Sequence, residues 1–170
     1  MKEESIMGLF GMKKKAVNVT ETHQLIDVLG PGTPRNDFPG FVGMRIRVGK
    51  RPIFVTEIGR MNANIGTCKD KHILKIVKQP SAFDYHGSEV LLTSGIVGEY
   101  TWGKLREPIE LKPNHEYDIV SYEWAGGDYW YHTDAVTFFT PDVICEGSVY
   151  FGGGVWNKDG SSGTVYGPVN

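Results

Sequence analysis

The chain has 170 residues, enough for one domain with its own hydrophobic core. Its formal net charge of −2 gives no global positive field that would concentrate nucleic acid, so nucleic-acid binding is disfavoured. No apolar run approaches the ~20 residues of a membrane-spanning helix, so no membrane span is expected. The 22 glycines and an aromatic fraction of 12% favour many short strands joined by tight turns.

Residues 1–16 are predicted to be a flexible arm that precedes a β-sandwich domain at residues 17–170. The arm combines three lysines at residues 13–15 with apolar residues such as Leu9 and Phe10. A solvated tail is the simpler interpretation, and self-assembly or docking onto a partner through residues 1–16 is the alternative. The basic residues follow the short apolar stretch instead of preceding it, so no signal peptide is recognised. The protein is therefore expected in the cytoplasm or incorporated into an assembly.

After an ambiguous segment at 17–29 and a proline- and glycine-rich turn at 30–40, the chain alternates as strands do. Met44, Ile46 and Val48 alternate with Arg45 and Arg47, which predicts one buried and one cationic face. Further strands are predicted at 52–58, 72–78, 89–93, 99–105, 116–123, 135–140, 143–151 and 164–169. These about nine or ten short strands, with turn signals every ~8–12 residues, predict an all-β fold. The fold class expected is a single antiparallel β-sandwich, jelly-roll-like.

Residues 122–131, with the sequence YEWAGGDYWY, are the strongest candidate for a ligand-binding loop. Flat aromatic rings stack on the CH faces of sugars, and a nearby carboxylate accepts hydrogen bonds from hydroxyl groups. Alternation along a strand sends about half of the rings inward, so Trp130 is expected in the core. Tyr129 and Tyr131 are expected to face outward, and the site would comprise these two with Trp124 and Asp128. A turn that determines the fold is the competing interpretation.

Carboxylates in oxygen-rich turns could bind calcium, and Asp128, Asp134 and Asp159 are the candidates. The sequence Asn-Lys-Asp-Gly at residues 157–160 lacks the ligand spacing of a calcium loop, and a turn is the simpler interpretation, so no cofactor is predicted. The histidines form no ligand pair, and no nucleophile or phosphate-binding motif is present, so the protein is predicted not to be an enzyme. A disulfide between Cys68 and Cys145 stays open, with two separate thiols as the simpler expectation.

Several short motifs occur in the order found in one known module. They are Arg35-Asn36-Asp37-Phe38 with Gly40, Val42-Gly43-Met44, Val48-Gly49, Val55-Thr56, Ile58-Gly59-Arg60, His72, Lys75-Ile76-Val77, Gly126-Gly127-Asp128, Trp130-Tyr131 and Tyr166-Gly167-Pro168-Val169-Asn170. From about residue 24 onward the chain resembles an uncharacterised bacterial β-sandwich module, a domain of unknown function. That module is found appended to secreted glycosidases and cell-surface proteins. The resemblance implies a β-sandwich with a non-catalytic role, such as glycan attachment or spacing.

Two functions from different classes follow as hypotheses. The first is a non-catalytic module that attaches to a glycan or another surface, as the resemblance and the aromatic loop suggest. The second is a structural component of an assembly, such as a phage decoration or fibre-associated protein. It is suggested by the lone module, the missing signal peptide and a chain that stops earlier than its relatives do. A glycoside hydrolase is the third alternative, which would need a cleft with paired carboxylates.

Overall fold

The computed structural model of the protein describes residues 22–170, and the predicted arm at residues 1–16 lies outside the described residues. Within residues 22–170 every regular element is a strand, and the strands pair antiparallel, which confirms the predicted all-β sandwich. No helix in this part of the chain is long and apolar enough to cross a bilayer. The strands are β1 Ile26–Gly30, β2 Pro34–Arg35, β3 Gly40–Val48, β4 Ile53–Met61, β5 His72–Lys78, β6 Phe83–Asp84, β7 Val90–Leu92, β8 Tyr100–Leu111, β9 Glu116–Glu123, β10 Trp130–Tyr131, β11 Val136–Phe139, β12 Val143–Gly152 and β13 Val155–Asp159.

The larger layer of the sandwich is a seven-stranded sheet with the order β13-β12-β3-β9-β5-β6, in which β7 also pairs with β5. Three two-stranded sheets, β4-β8, β1-β11 and β2-β10, complete the fold. The main core joins side chains of the large sheet, such as Met44 and Ile119, to side chains of β4 and β8, such as Ile58 and Leu111. Burial of these apolar side chains is the main stabilising contribution to the fold.

The large sheet is covered on both faces where β3 and β9 meet. Met44 and Ile46 are fully buried, as predicted for one face of β3. The other face is not simply cationic and solvated, because Arg45 is only 18% exposed and donates two hydrogen bonds to the buried carboxylate of Asp118. Val120, beside Asp118 on β9, belongs to a second apolar cluster on this outer face. Strand β9 is therefore buried on both sides.

Two predicted features near the C-terminus are wrong. Residues 157–159 do not form a turn, because β13 pairs with β12 through a hairpin closed by Gly153 and Gly154. Both glycines have positive φ angles, as a two-residue hairpin turn requires. The strand predicted at 164–169 does not form, apart from a single bridge between Val169 and Arg60. A glycine-rich stretch of sequence usually indicates a long loop. In this protein the two glycines form the tight turn between β12 and β13.

Candidate functional site

The predicted binding loop does not present its two tyrosines to solvent. Trp130 is 1% exposed, which confirms its place in the core. Tyr131 is also 1% exposed, so the prediction that it faces outward is wrong. Its hydroxyl accepts a hydrogen bond from the backbone N–H of Asn64, at 2.9 Å, because the loop after β4 covers this side of β10. Tyr129 is half-buried, and its ring lies beside Gly66 of the same loop.

Asp128 is buried, and its hydrogen bonds connect two loops. It accepts hydrogen bonds from the Thr67 hydroxyl at 2.9 Å and the Asp70 N–H at 2.8 Å, while the Asp70 carboxylate accepts one from the Asp128 N–H at 2.7 Å. Burial alone raises the pKa of Asp128, but the hydrogen bonds from Asp70, Thr67 and His72 outweigh it and leave the pKa below its usual value. The carboxylate therefore holds the Gly126-Gly127 turn in place, with both of its oxygens bonded to protein donors.

Behind this connection lies a buried cluster of charges. The Arg60 guanidinium donates to both oxygens of Glu123, at 2.9 and 2.7 Å, and these two side chains are 1% and 0% exposed. Burial acts to lower the pKa of Arg60, but the charge of Glu123 and the hydrogen bonds to its carboxylate act more strongly in the opposite direction. The pKa of Arg60 is therefore raised above its usual value. His72 bridges the two acids, with ring nitrogens 3.3 Å from Glu123 and 3.3 Å from Asp128. Each charge has a partner, and the cluster connects β4, β5 and β9.

The cysteines give no activated nucleophile. Cys68 and Cys145 are both free thiols, as the simpler expectation had it. Burial raises the pKa of the Cys68 thiol, and the negative charge of Asp128 raises it further. The thiolate, which is the nucleophilic form, is therefore disfavoured at neutral pH.

The calcium candidates are engaged by different partners. Asp134 accepts a hydrogen bond from the Thr33 N–H at 2.7 Å, and Asp159 accepts one from the Tyr166 hydroxyl at 2.6 Å. Among residues 22–170 no group of three or more histidine, cysteine, aspartate or glutamate side chains is arranged to hold a metal ion. Each of these carboxylates is therefore held by its own protein donors.

A different group of aromatic residues forms a continuous surface, here called the aromatic row. It consists of Trp124, Tyr122, Phe41, Trp156 and Phe151. Successive ring centroids along the row are 4.7, 5.1, 6.1 and 5.1 Å apart. The two ends are the most open, with Trp124 47% and Phe151 39% exposed, and the three rings between them are half-buried. Of the four predicted site residues, only Trp124 belongs to this surface, and Tyr122 is its other member from the predicted loop.

The register of the large sheet explains why these rings meet. Phe41 on β3 lies directly opposite Tyr122 on β9, and Phe151 on β12 lies opposite Trp156 on β13. Directly paired residues point to the same face of a sheet. Phe41 is three residues from Met44, so it points away from the main core. Because β13, β12, β3 and β9 are consecutive neighbours, the row crosses four strands, about 14 Å at the usual strand spacing.

Several cations near the row are paired with carboxylates. The Lys75 ammonium lies 4.2 Å from the centroid of the Phe41 ring and 2.9 Å from an Asp84 oxygen. Arg45 pairs with Asp118, and Arg47 pairs with Glu116 and Glu146. These cations are matched by carboxylates, so they give the face no preference for an anionic ligand.

The rings of the row do not form a flat platform. Phe41 and Tyr122 are inclined by 86°, Tyr122 and Trp124 by 62°, and Phe151 and Trp156 by 59°. Such a surface offers ring faces and ring edges in alternation. A flexible partner that follows the inclined rings would fit this surface better than a rigid, flat partner would.

Four of the five members of the row were not among the predicted site residues. Phe41 could have been predicted to lie on the outer face, because it has the same parity on β3 as Arg45. Trp156 and Phe151 could not be assigned, because their strand pairing depends on the glycine hairpin. The juxtaposition of Phe41 with Trp156 also requires the strand order, which no local pattern carries.

Comparison with known proteins does not assign the chain to a family. No family model, curated protein or solved structure matches the chain. The resemblance to the bacterial module therefore stays a prediction, and the aromatic row is the feature from which a function can be argued.

Proposed function

We propose that the protein is a non-catalytic module that binds a carbohydrate chain through the aromatic row. The observation that carries this proposal is the continuous contact of five rings across four strands, open at Trp124 and at Phe151. Aromatic rings provide large apolar contact areas at a small entropic cost, since each side chain has two rotatable bonds. The CH faces of pyranose rings are suitable partners for such rings.

Two features narrow the ligand class. The matched charges around the row favour a neutral glycan over an acidic one. The inclined rings favour a soluble, flexible chain over the flat face of a crystalline polysaccharide. The expected ligand is therefore a soluble neutral polysaccharide that contacts several rings along its length.

Affinity gel electrophoresis tests the proposal, with the protein run through gels that contain soluble glucan, xylan, mannan or galactan. We expect at least one of these polymers to retard the protein. Trp124→Ala and Phe151→Ala should each raise the dissociation constant by about 5- to 30-fold, the effect of losing roughly 1–2 kcal/mol at an aromatic contact. Trp124→Phe, which keeps a ring at this position, should lose less.

Phe138→Ala is the matched control, since Phe138 is 57% exposed on β11 and lies outside the row. It should bind as the unmodified protein does. Absence of retardation in every gel would overturn the proposal. So would retardation that survives the combined Trp124→Ala and Phe151→Ala change. Retention on crystalline cellulose with no retardation in soluble polymers would contradict the choice of a flexible chain.

A further inference from the structure

A charged pair lies beside the centre of the aromatic row. The Lys75 ammonium is 4.2 Å from the centroid of the Phe41 ring and 5.9 Å from that of the Trp156 ring. The same ammonium is 2.9 Å from each oxygen of the Asp84 carboxylate. A single ammonium group therefore separates this carboxylate from two of the five rings.

The register of the sheet places Asp84 on the same face as the row. Asp84 on β6 lies directly opposite Val77 on β5, and directly paired residues point to the same face. Val77 belongs to the apolar cluster of the outer face, against which Phe41 and Trp156 pack. Lys75 precedes Val77 by two residues, so its side chain points to this face as well. The carboxylate is therefore positioned to meet a ligand that lies on the rings.

The exposure of Asp84 distinguishes it from Asp118, another carboxylate of the outer face. Asp118 is fully buried, and its oxygens accept hydrogen bonds from Arg45 and Gln79. The side chain of Asp84 is 56% exposed, and its carboxylate is bonded to the Lys75 ammonium. Each carboxylate oxygen can accept two hydrogen bonds, so Asp84 keeps acceptor capacity for a ligand. Lys75, whose side chain is 13% exposed, holds this acceptor in place.

We propose that Asp84, positioned by Lys75, selects among neutral glycans by accepting hydrogen bonds from their hydroxyl groups. This role of Asp84 rests on the proposed function of the row. Stacking on a ring uses the CH faces of a sugar and therefore tolerates many hydroxyl arrangements. A fixed acceptor discriminates more strongly, because a sugar without a hydroxyl in the right place leaves it without a partner. The rings thus supply most of the affinity, and Asp84 determines which sugar is preferred.

Isothermal titration calorimetry tests this selection with three hexasaccharides of the same linkage, built from glucose, mannose or xylose. The unmodified protein should prefer one of them by about fivefold or more. Asp84→Ala should raise the dissociation constant of that hexasaccharide about tenfold and reduce the preference to less than about twofold. Asp142→Ala is the matched control, because Asp142 is 47% exposed, is paired with Arg51 at 3.0 Å and lies outside the row. The control should keep both the affinity and the preference.

Two variants test Lys75 as the residue that positions Asp84. Lys75→Met removes the ammonium that holds the carboxylate, so it should reduce the preference among the hexasaccharides. Lys75→Arg keeps a cation at this position and should retain most of the preference. Equal preferences in the Met and Arg variants would overturn the positioning role of Lys75.

The outcomes distinguish a failure of this selection from a failure of the proposed function. If Trp124→Ala weakens binding and Asp84→Ala leaves the preference unchanged, the row binds glycan without selection by Asp84. Equal affinities of the unmodified protein for the three hexasaccharides, or no measurable binding of any, would also overturn the selection. So would a loss of preference in Asp142→Ala, because the net charge would then be responsible. The proposed function itself fails when no soluble polymer retards the protein.

Discussion

The buried ion pair of Arg60 with Glu123 gives the clearest prediction for a single residue. Replacement of Arg60 by methionine keeps much of the side-chain volume but leaves the Glu123 charge with only His72 nearby. Removing one partner of a buried ion pair typically costs about 3–5 kcal/mol. We expect Arg60→Met to lower the free energy of unfolding by that amount, measured by urea denaturation at pH 7.

The double variant Arg60→Met with Glu123→Leu is the matched control. An apolar pair of similar volume removes the uncompensated charge, so most of the lost stability should return. Equal destabilisation in the single and the double variant would mean that the loss comes from the other Arg60 hydrogen bonds, to Asn62 and to the Tyr129 carbonyl. The charge on Glu123 would then have no part in the loss.

Residues around this cluster also show which features could be predicted from the sequence and which could not. Trp130 was predictable as core because alternation on a strand requires an inward ring. Tyr131 was not, since a loop from another part of the chain covers the face that would otherwise meet solvent. Asp128 looks like a ligand group in sequence because its partners, Thr67 and the Asp70 backbone, are 61 and 58 positions away. Only tertiary contacts reveal that its oxygens are already occupied.

Among the elements, β3 is the strand most constrained by its neighbours. It lies between β9 and β12, and Gly43 stands at its centre. A Cβ at this position would clash with the carbonyl oxygen of Ile119 and lie 2.9 Å from the Cα of Val120. These are backbone atoms of β9, which cannot move without disturbing the pairing of the sheet. The glycine in the Val42-Gly43-Met44 motif is therefore required by close strand packing.

We expect Gly43→Ala to destabilise the protein by about 2–4 kcal/mol, the upper range for steric overpacking in a well-packed interior. Thermal or urea unfolding checks this value. Gly30→Ala is the control, because a Cβ there would meet only the Val136 side chain at 3.5 Å, an ordinary contact. The control should change stability by less than about 1 kcal/mol. A Gly43→Ala protein as stable as the control would show that β3 and β9 can separate freely.

Strands with regular alternation were the predictable elements. The predicted bounds of β5 and β9, at 72–78 and 116–123, match the structure. Strand β4 was predicted too short, because Gly59 and polar Arg60 break the alternation although both lie within the strand. Strand β13 was missed because its flanking glycines indicate a loop. The candidate site depends on β13, because Trp156 lies on that strand. The aromatic row could therefore not be predicted from the sequence alone.

Acid stability is a property of the whole molecule to which several carboxylates contribute. The pKa of Asp128 is lowered in the fold, and so are those of Asp37, beside Arg35, Asp134, bonded to Thr33, and Asp159, bonded to Tyr166. A carboxyl whose folded pKa lies below its unfolded pKa of about 3.9 stabilises the fold above that pH. That stability is lost as the pH falls through the folded pKa. The free energy of unfolding should therefore be nearly constant from pH 7 to 5 and decline below about pH 4.

Asp128→Asn isolates the buried member of this group. An amide cannot ionise, and one end of it presents N–H donors toward the Asp70 N–H or the Thr67 hydroxyl, so the variant should be less stable at pH 7. Its decline from pH 5 to 3 should be shallower than that of the unmodified protein, because one of the four titrating carboxyls is gone. Urea unfolding at pH 7, 5 and 3 measures both effects. Parallel declines in the two proteins would contradict the lowered pKa of Asp128, because the slope of stability against pH counts the protons that the unfolded state binds in excess of the folded state.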